Sequence, residues 1–258
     1  MRIVRFSDGD SPAYGALEDG SNRIVVLKGD PLFNPVEPSG RIVELDEVRL
    51  LSPVIPRSKV IGIGNNFGTE PRVAGSPEPS PYPPIFLKPN TSVIGPDDPI
   101  VLPPWATDVI YEGELAVVIK SLAKDVAVED ASQVILGYTL ANDVTARCAM
   151  DGGPWDKAKG ADTFCPIGPW ITIDPELDPQ ALTIRGSVNG GQEASGSTAY
   201  MLHTVAELVA YCSTLFTLLP GDVIVTGCPG VSGPIEAGDT VSFGIEQIGW
   251  LTNPVIRR

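Results

Sequence analysis

Short apolar runs separated by turn residues characterise the start of the chain. Three such runs cover residues 3–6, 13–17 and 24–27. The dipeptides Asp8-Gly9 and Asp19-Gly20 between them are typical of tight turns, so the pattern predicts three short strands. Two prolines near residue 55 then bound a short linker. We therefore predict a small N-terminal β domain over residues 1–52 and a main domain over residues 53–258.

The longest predicted strand contains two carboxylates. From Val109 to Ile119 the residues are β-branched, aromatic or aliphatic, apart from Glu112, Gly113 and Glu114. Because strand side chains alternate between faces, the two glutamates share one face, with Cα atoms roughly 7 Å apart. They could converge on one cation, or they could be ordinary surface acids on a solvated edge strand.

A long loop follows the predicted strand at residues 59–64. Residues 65–84 contain six prolines and two glycines, and the apolar pattern resumes only at residue 85. Loops of this length in compact domains are commonly lids or binding loops. We predict a lid loop over residues 65–84.

One amphipathic helix is predicted near the end of the chain. Its start carries the capping box Thr204 to Glu207, and apolar residues then recur at helical spacing. His203 is the only histidine and directly precedes this helix start, which favours a structural position over a catalytic one. A shorter helix is predicted around residues 128–134.

Composition excludes several functional classes. The 258 residues include 18 Lys and Arg against 32 Asp and Glu, so the net charge is -14. This charge argues against a nucleic-acid partner or an anionic membrane surface. No apolar run has the roughly 18 residues of a membrane span, and Met1 to Arg5 lack the apolar core of a signal peptide. We therefore expect a cytoplasmic protein whose four separate cysteines are reduced.

A third carboxylate strengthens the metal hypothesis. Asp143 ends the apolar run that starts at Ile135, so it could lie beside Glu112 and Glu114. Three carboxylates with no His or Cys cluster favour a hard cation that retains several waters. The candidate cofactor is Mg²⁺ or Mn²⁺ rather than Zn²⁺.

Several ordered segments resemble one family. They read YEGELAVVI at 111–119, GYTLANDVTAR at 137–147, AKGADTF at 158–164, PIGP at 166–169 and LPGDVIVTG at 219–227. From about Val60 to the C-terminus these segments resemble the fumarylacetoacetate hydrolase family. The resemblance implies an α+β, mainly β fold with a mixed β-sheet roll, a homodimer, and a Mg²⁺ or Mn²⁺ site made by Glu112, Glu114 and Asp143.

The resemblance also implies a substrate class and further site residues. Members act on 2-oxo and β-diketo acids by C–C hydrolysis, decarboxylation or isomerisation. Lys159 matches the lysine of the family's A-K-G segment and is a candidate catalytic residue, although a loop lysine at the surface is the alternative. Arg147 could bind a substrate carboxylate or could pair with a structural acid. Thr226 is a candidate for hydrogen bonding to substrate.

The chain departs from the family's hydrolases at the lid. In those hydrolases a His and a Glu of the lid orient and deprotonate the attacking water. This chain has Glu70 and Val73 at those positions. The family's R-D-x-Q pattern has become Arg147-Cys148-Ala149-Met150. We favour an isomerase, tautomerase or decarboxylase. The alternatives are a C–C hydrolase with Glu70 as general base, and a non-catalytic protein that binds an oxo acid.

Overall fold

The computed structural model describes residues 1–9, 11–72, 79–151 and 153–258. Within these ranges the strands are β1 (Arg2–Ser7), β2 (Ala13–Leu17), β3 (Arg23–Leu27), β4 (Pro38–Glu44), β5 (Arg49–Leu51), β6 (Val60–Ile63), β7 (Ile85–Lys88), β8 (Val93–Ile94), β9 (Ile100–Leu102), β10 (Val109–Ile119), β11 (Ile135–Asn142), β12 (Thr145–Ala146), β13 (Cys165–Thr172), β14 (Thr183–Val188), β15 (Ala194–Ser197), β16 (Val223–Val225), β17 (Ser232–Pro234), β18 (Thr240–Ile245) and β19 (Gly249–Arg257). The helices are α1 (Ala131–Val134), α2 (Asp156–Lys159) and α3 (Val205–Leu215).

Two mixed sheets dominate the fold. The larger sheet has the strand order β4-β3-β2-β1-β13-β11-β10-β16-β6-β7, and the smaller has the order β15-β14-β18-β19-β9. Most neighbours are antiparallel, but β16 pairs with β6, and β19 with β9, in parallel. The predicted α+β, mainly β class is confirmed.

The N-terminal strands extend the larger sheet. The three predicted strands are confirmed as β1, β2 and β3. β1 then pairs antiparallel with β13, with Arg2 opposite Thr172 and Ile3 opposite Ile171. The division of the chain at residue 52 stays a prediction. β4 has no counterpart in the sequence analysis, because five of its seven residues are exposed and show no apolar alternation.

β10 lies between two hydrophobic cores. Leu115, Val117 and Ile119 belong to one core cluster, whereas Ala116 and Val118 belong to another. β11 and β16 flank the strand on either side. This burial on both faces explains why polar residues do not alternate after Glu114.

The helix predictions are confirmed with small differences. In α3, Glu207 N–H donates to Thr204 Oγ1 at 3.2 Å, and Thr204 N–H donates to Glu207 Oε2 at 2.7 Å. The short helix predicted around residues 128–134 is a 3-10 turn, Val128–Asp130, that continues into α1. No helix in the described ranges is long and apolar enough to cross a membrane.

The start of the predicted lid packs against the segment that precedes α3. Asn66 donates through Nδ2 to His203 O at 3.1 Å and accepts from His203 N–H at 2.9 Å. Phe67 forms an isolated bridge with Met201. His203 is therefore held through its main chain, in agreement with a structural position. Val73, the other altered lid position, lies outside the described residues.

Candidate metal centre

Three carboxylates converge at the junction of β10 and β11. Glu112 and Glu114 project from β10, and Asp143 directly follows β11. Each contributes an oxygen atom that lies within 4.8 Å of the other two. Asp143 N–H donates to Glu112 O at 2.9 Å, which places Asp143 beside the glutamates. The side chains of Glu114 and Asp143 are buried, and that of Glu112 is partly buried.

Two buried lysines contact this cluster. Lys159, the last residue of α2, donates through Nζ to Glu112 Oε2 at 2.9 Å and also to Asp143 Oδ2. Lys88, the last residue of β7, donates to Asp143 Oδ1. Burial alone would lower the pKa of Lys159, but the charges of Asp143 and Glu112 and their hydrogen bonds outweigh it and raise that pKa.

The electrostatic effect of the cluster is clearest in the raised pKa of Glu114. Burial raises its pKa well above the ordinary value of 4.5, and the nearby charges of Asp143 and Glu112 raise it further. Lys159 and the main-chain N–H of Gly227, which donates to Glu114 Oε2 at 2.6 Å, act in the opposite direction. The three carboxyl groups outnumber the two lysines, so a bound cation would offset the mutual repulsion of the ionised carboxylates.

Polar neighbours fix the orientation of the cluster. Thr145 Oγ1 lies 2.8 Å from Glu112 Oε2 and 2.9 Å from Asp143 O. Asn142 accepts from Glu112 N–H through Oδ1 at 3.1 Å. An all-oxygen donor set held in this way suits Mg²⁺ or Mn²⁺.

The other candidate site residues differ in how far their side chains are exposed to solvent. Thr226 is buried, and its Oγ1 donates to Leu115 O at 2.9 Å. The exposed side chain of Arg147 pairs with Asp108, with Nη2 and Oδ1 2.7 Å apart. Glu70 is exposed, and its side chain makes no hydrogen bond or ion pair within the described ranges. Their predicted roles in substrate binding and catalysis stay predictions.

Sequence reasoning missed Lys88. The alternation along β7 is visible only in the structure, where Phe86 and Lys88 are 8% and 1% exposed whereas Leu87 between them is 40% exposed. A lysine on the same strand face as a buried phenylalanine must find an acidic partner in the core. Asp143 is that partner.

The fold and the site define a class of mainly β proteins with an all-carboxylate centre supported by buried lysines. The sequence model of the fumarylacetoacetate hydrolase C-terminal domain matches residues 59–256, and that of the Rv2993c-like N-terminal region matches residues 1–53. The chain belongs to the fumarylacetoacetate hydrolase family, as the resemblance predicted.

Relatives in this family include isomerases and hydrolases. Protein Rv2993c of Mycobacterium tuberculosis is 45% identical, with 100% of this chain and 99% of that protein covered. The structure of 5-carboxymethyl-2-hydroxymuconate delta-isomerase from Mycobacterium smegmatis is 46% identical, covers 100% of both chains and has a TM-score of 0.89. Maleylpyruvate hydrolase from Sphingobium sp. SYK-6, in complex with manganese(II) and pyruvate, is 30% identical, with 100% and 99% covered and a TM-score of 0.80.

Proposed function

We propose that this chain is a divalent-metal-dependent enzyme that acts on a 2-oxo or β-diketo acid through an enolate, as an isomerase, tautomerase or decarboxylase. The observation that carries the proposal is the convergence of Glu112, Glu114 and Asp143 beside the buried Lys159. The Mycobacterium smegmatis isomerase supports the reaction class. The manganese and pyruvate in the Sphingobium hydrolase support the cofactor and substrate class.

Glu112, Glu114 and Asp143 would hold Mg²⁺ or Mn²⁺. When bound, the cation would supply Lewis-acid stabilisation of the negative charge that an enolate develops. The chain's own residues shape the rest of the site. Gly227 N–H and Thr145 Oγ1 fix the carboxylates, and the burial of Glu114 and Asp143 keeps water from them. Lys159 supplies a positive charge beside the place where an oxo acid would bind.

The absence of the hydrolases' water-activating pair supports the isomerase or decarboxylase type. Glu70 and Val73 replace the histidine and glutamate of the lid. His203, the only histidine, is held through its main chain by Asn66 at the start of α3. Without a lid imidazole, a reaction that needs no activated water suits these residues best.

A C–C hydrolase is the second candidate. The 30% identity to a maleylpyruvate hydrolase favours it, as does the exposed carboxylate of Glu70 at the histidine's position in the lid. Lid closure would remove water from this carboxylate and make it a stronger base. The third candidate, a binding protein for an oxo acid, keeps the metal centre and has no turnover.

An NMR time course with oxaloacetate and an acylpyruvate separates these candidates. We expect conversion that depends on Mg²⁺ or Mn²⁺, is abolished by chelator, and exceeds the rate with the metal ion alone. Glu114→Gln should lose this activity, and the exposed-site variant Glu129→Gln should keep it. Stoichiometric release of a carboxylic acid from the acylpyruvate would establish the hydrolase instead. Metal binding without conversion would favour the binding protein.

We also propose a homodimer, on the strength of the family resemblance. Light scattering coupled to size-exclusion chromatography tests this proposal. A mass of about twice the 27.3 kDa of the chain is the expected result, and a monomer at micromolar concentration would contradict it.

A further inference from the structure

All three protons of Lys159 are committed within the candidate metal centre. Its Nζ donates to Glu112 Oε2 at 2.9 Å, to Thr145 Oγ1 at 2.8 Å, and to Asp143 Oδ2. A lysine ammonium group has three protons to donate. In this arrangement Lys159 has no proton left to donate to a substrate.

The acceptors of Lys159 are themselves candidate metal ligands. Both oxygens of Asp143 are engaged, Oδ1 by Lys88 and Oδ2 by Lys159. A divalent cation bound to Glu112 and Asp143 would lie close to the Lys159 ammonium group. Like charges at that separation repel strongly in a site where burial limits screening by water. A bound metal ion would therefore compete with Lys159 for the same carboxylates.

We propose that Lys159 is an internal counter-ion that partly offsets the negative charge of the carboxylate cluster until a divalent cation binds, and that the cation displaces its ammonium group, which then becomes available to the substrate. The consequence is an ordered sequence in which the metal ion binds first and the oxo acid second. This inference rests on the metal centre of the proposed function, but not on the type of reaction.

The ring of Phe86 gives the displaced ammonium group a second stabilising neighbour. The ring centroid lies 4.8 Å from Lys159 Nζ, a distance at which a cation is attracted to an aromatic face. Trp155 packs edge-on against Phe86, with ring centroids 5.7 Å apart, and so helps to fix the ring. Phe86 therefore offers the Lys159 ammonium group an attraction that does not depend on the carboxylates.

Lys88 has a different role from Lys159. Its side chain is 1% exposed at the end of β7, and among the described residues it contacts one carboxylate of the cluster, Asp143. β7 pairs along its length with β6, so the sheet fixes the position of Lys88. Lys88 is a positioning residue that holds Asp143 while Lys159 is exchanged for the metal ion.

Calorimetric titration with Mn²⁺ tests the competition. Removing Lys159 in K159M should tighten Mn²⁺ binding by about tenfold or more, which is about 1.4 kcal/mol. The matched control K157M, two residues earlier on α2 and exposed, should bind like the wild type. K88M should show no tightening, because Asp143 loses the donor that orients it. If K88M and K159M bind Mn²⁺ equally more tightly than the wild type, the effect is due only to removal of a positive charge, and the proposal is overturned.

A second measurement follows the lysine directly in the wild-type protein. The NMR signal of the Lys159 ammonium group, assigned by its loss in K159M, should shift or broaden when Mg²⁺ is added. If K159M does not fold, K159Q provides the assignment and the titration. An unchanged signal at saturating Mg²⁺ overturns the proposal.

The calorimetric titrations separate failure of this inference from failure of the proposed function. If the wild type binds Mn²⁺ and K159M binds it no more tightly, this inference alone is overturned. If the wild type does not bind Mn²⁺, the metal centre of the proposed function is overturned as well.

Discussion

The carboxylate cluster and the lid segment, residues 65–84, are organised in opposite ways. In the cluster, Glu114 and Asp143 are buried and hydrogen-bonded to the main chain or to lysines. In the described parts of the lid segment most residues are exposed, and the Glu70 side chain has no hydrogen-bond partner among the residues that the structure describes. Residues 226 and 227 connect the two regions, because Asn66 Nδ2 donates to Thr226 O at 3.0 Å and Gly227 N–H donates to Glu114 Oε2 at 2.6 Å. The sheet fixes the three carboxylates that would bind a metal ion, whereas the described part of the lid segment lies mostly at the surface.

Removing a cluster carboxylate should have the largest effect. Glu114→Ala should weaken Mn²⁺ binding by about 100-fold or more, because one of three charged ligands is lost. Calorimetric titration measures the change. Glu129→Gln, at an exposed position, should bind Mn²⁺ like the wild type. If Glu114→Ala binds Mn²⁺ with wild-type affinity, the cluster contributes no more to metal binding than the lid segment does.

The cluster should also make stability depend on pH and on metal ions. The pKa of Glu114 is raised in the folded chain, so its protonated form contributes stability that is fully present below pH 4.5 and is lost as pH rises through the raised pKa. In chelator, Tm should therefore fall as pH rises above about 4.5 and through the raised pKa of Glu114, and Mg²⁺ should offset the fall. Glu114→Gln does not titrate and should flatten this dependence. If Tm changes with pH in the same way in the wild type and in Glu114→Gln, Glu114 is not the group that causes the dependence.

A substitution under the lid segment should cost stability and little else. Thr204→Ala removes the side-chain acceptor of the α3 capping box, which typically costs about 1 kcal/mol. Urea denaturation measures this loss. Mn²⁺ affinity should stay at the wild-type value, because α3 contributes no carboxylate to the cluster. A change in affinity would show that the helix start and the cluster are coupled.

The smallest expected effect on metal binding comes from the lid segment itself. Glu70→Gln should leave Mn²⁺ affinity within about twofold of the wild type, since Glu70 lies outside the carboxylate cluster. Turnover then distinguishes the candidate reactions. An isomerase or decarboxylase should keep most of its rate, whereas a hydrolase that uses Glu70 as its base should lose about 100-fold or more.

Sequence reasoning succeeded where a local pattern determines the structure. The bounds of β10 were predicted correctly because eleven residues with few polar interruptions leave little alternative to a buried strand. The grouping of Glu112, Glu114 and Asp143 followed from strand alternation and from the end of an apolar run. The capping box similarly defined the start of α3.

The features that were missed depend on distant partners. β4 has an exposed, polar sequence and is a strand because β3 provides its pairing partner. Lys88 looks like an ordinary strand terminus until Asp143, 55 residues later, is placed beside it. Lys159 was predicted as a candidate from the family segment, but its hydrogen bonds to two carboxylates depend on the position of α2.

Because β1 pairs with β13, the first fifty residues cover an edge of β13 that would otherwise be unpaired. β13 carries β11 on its other side, so removing β1 would expose unpaired main-chain groups beside the apolar residue Ile171. Exposed edges of this kind recruit other strands. A chain shortened to residues 54–258 should therefore self-associate, even though all three cluster carboxylates lie within it.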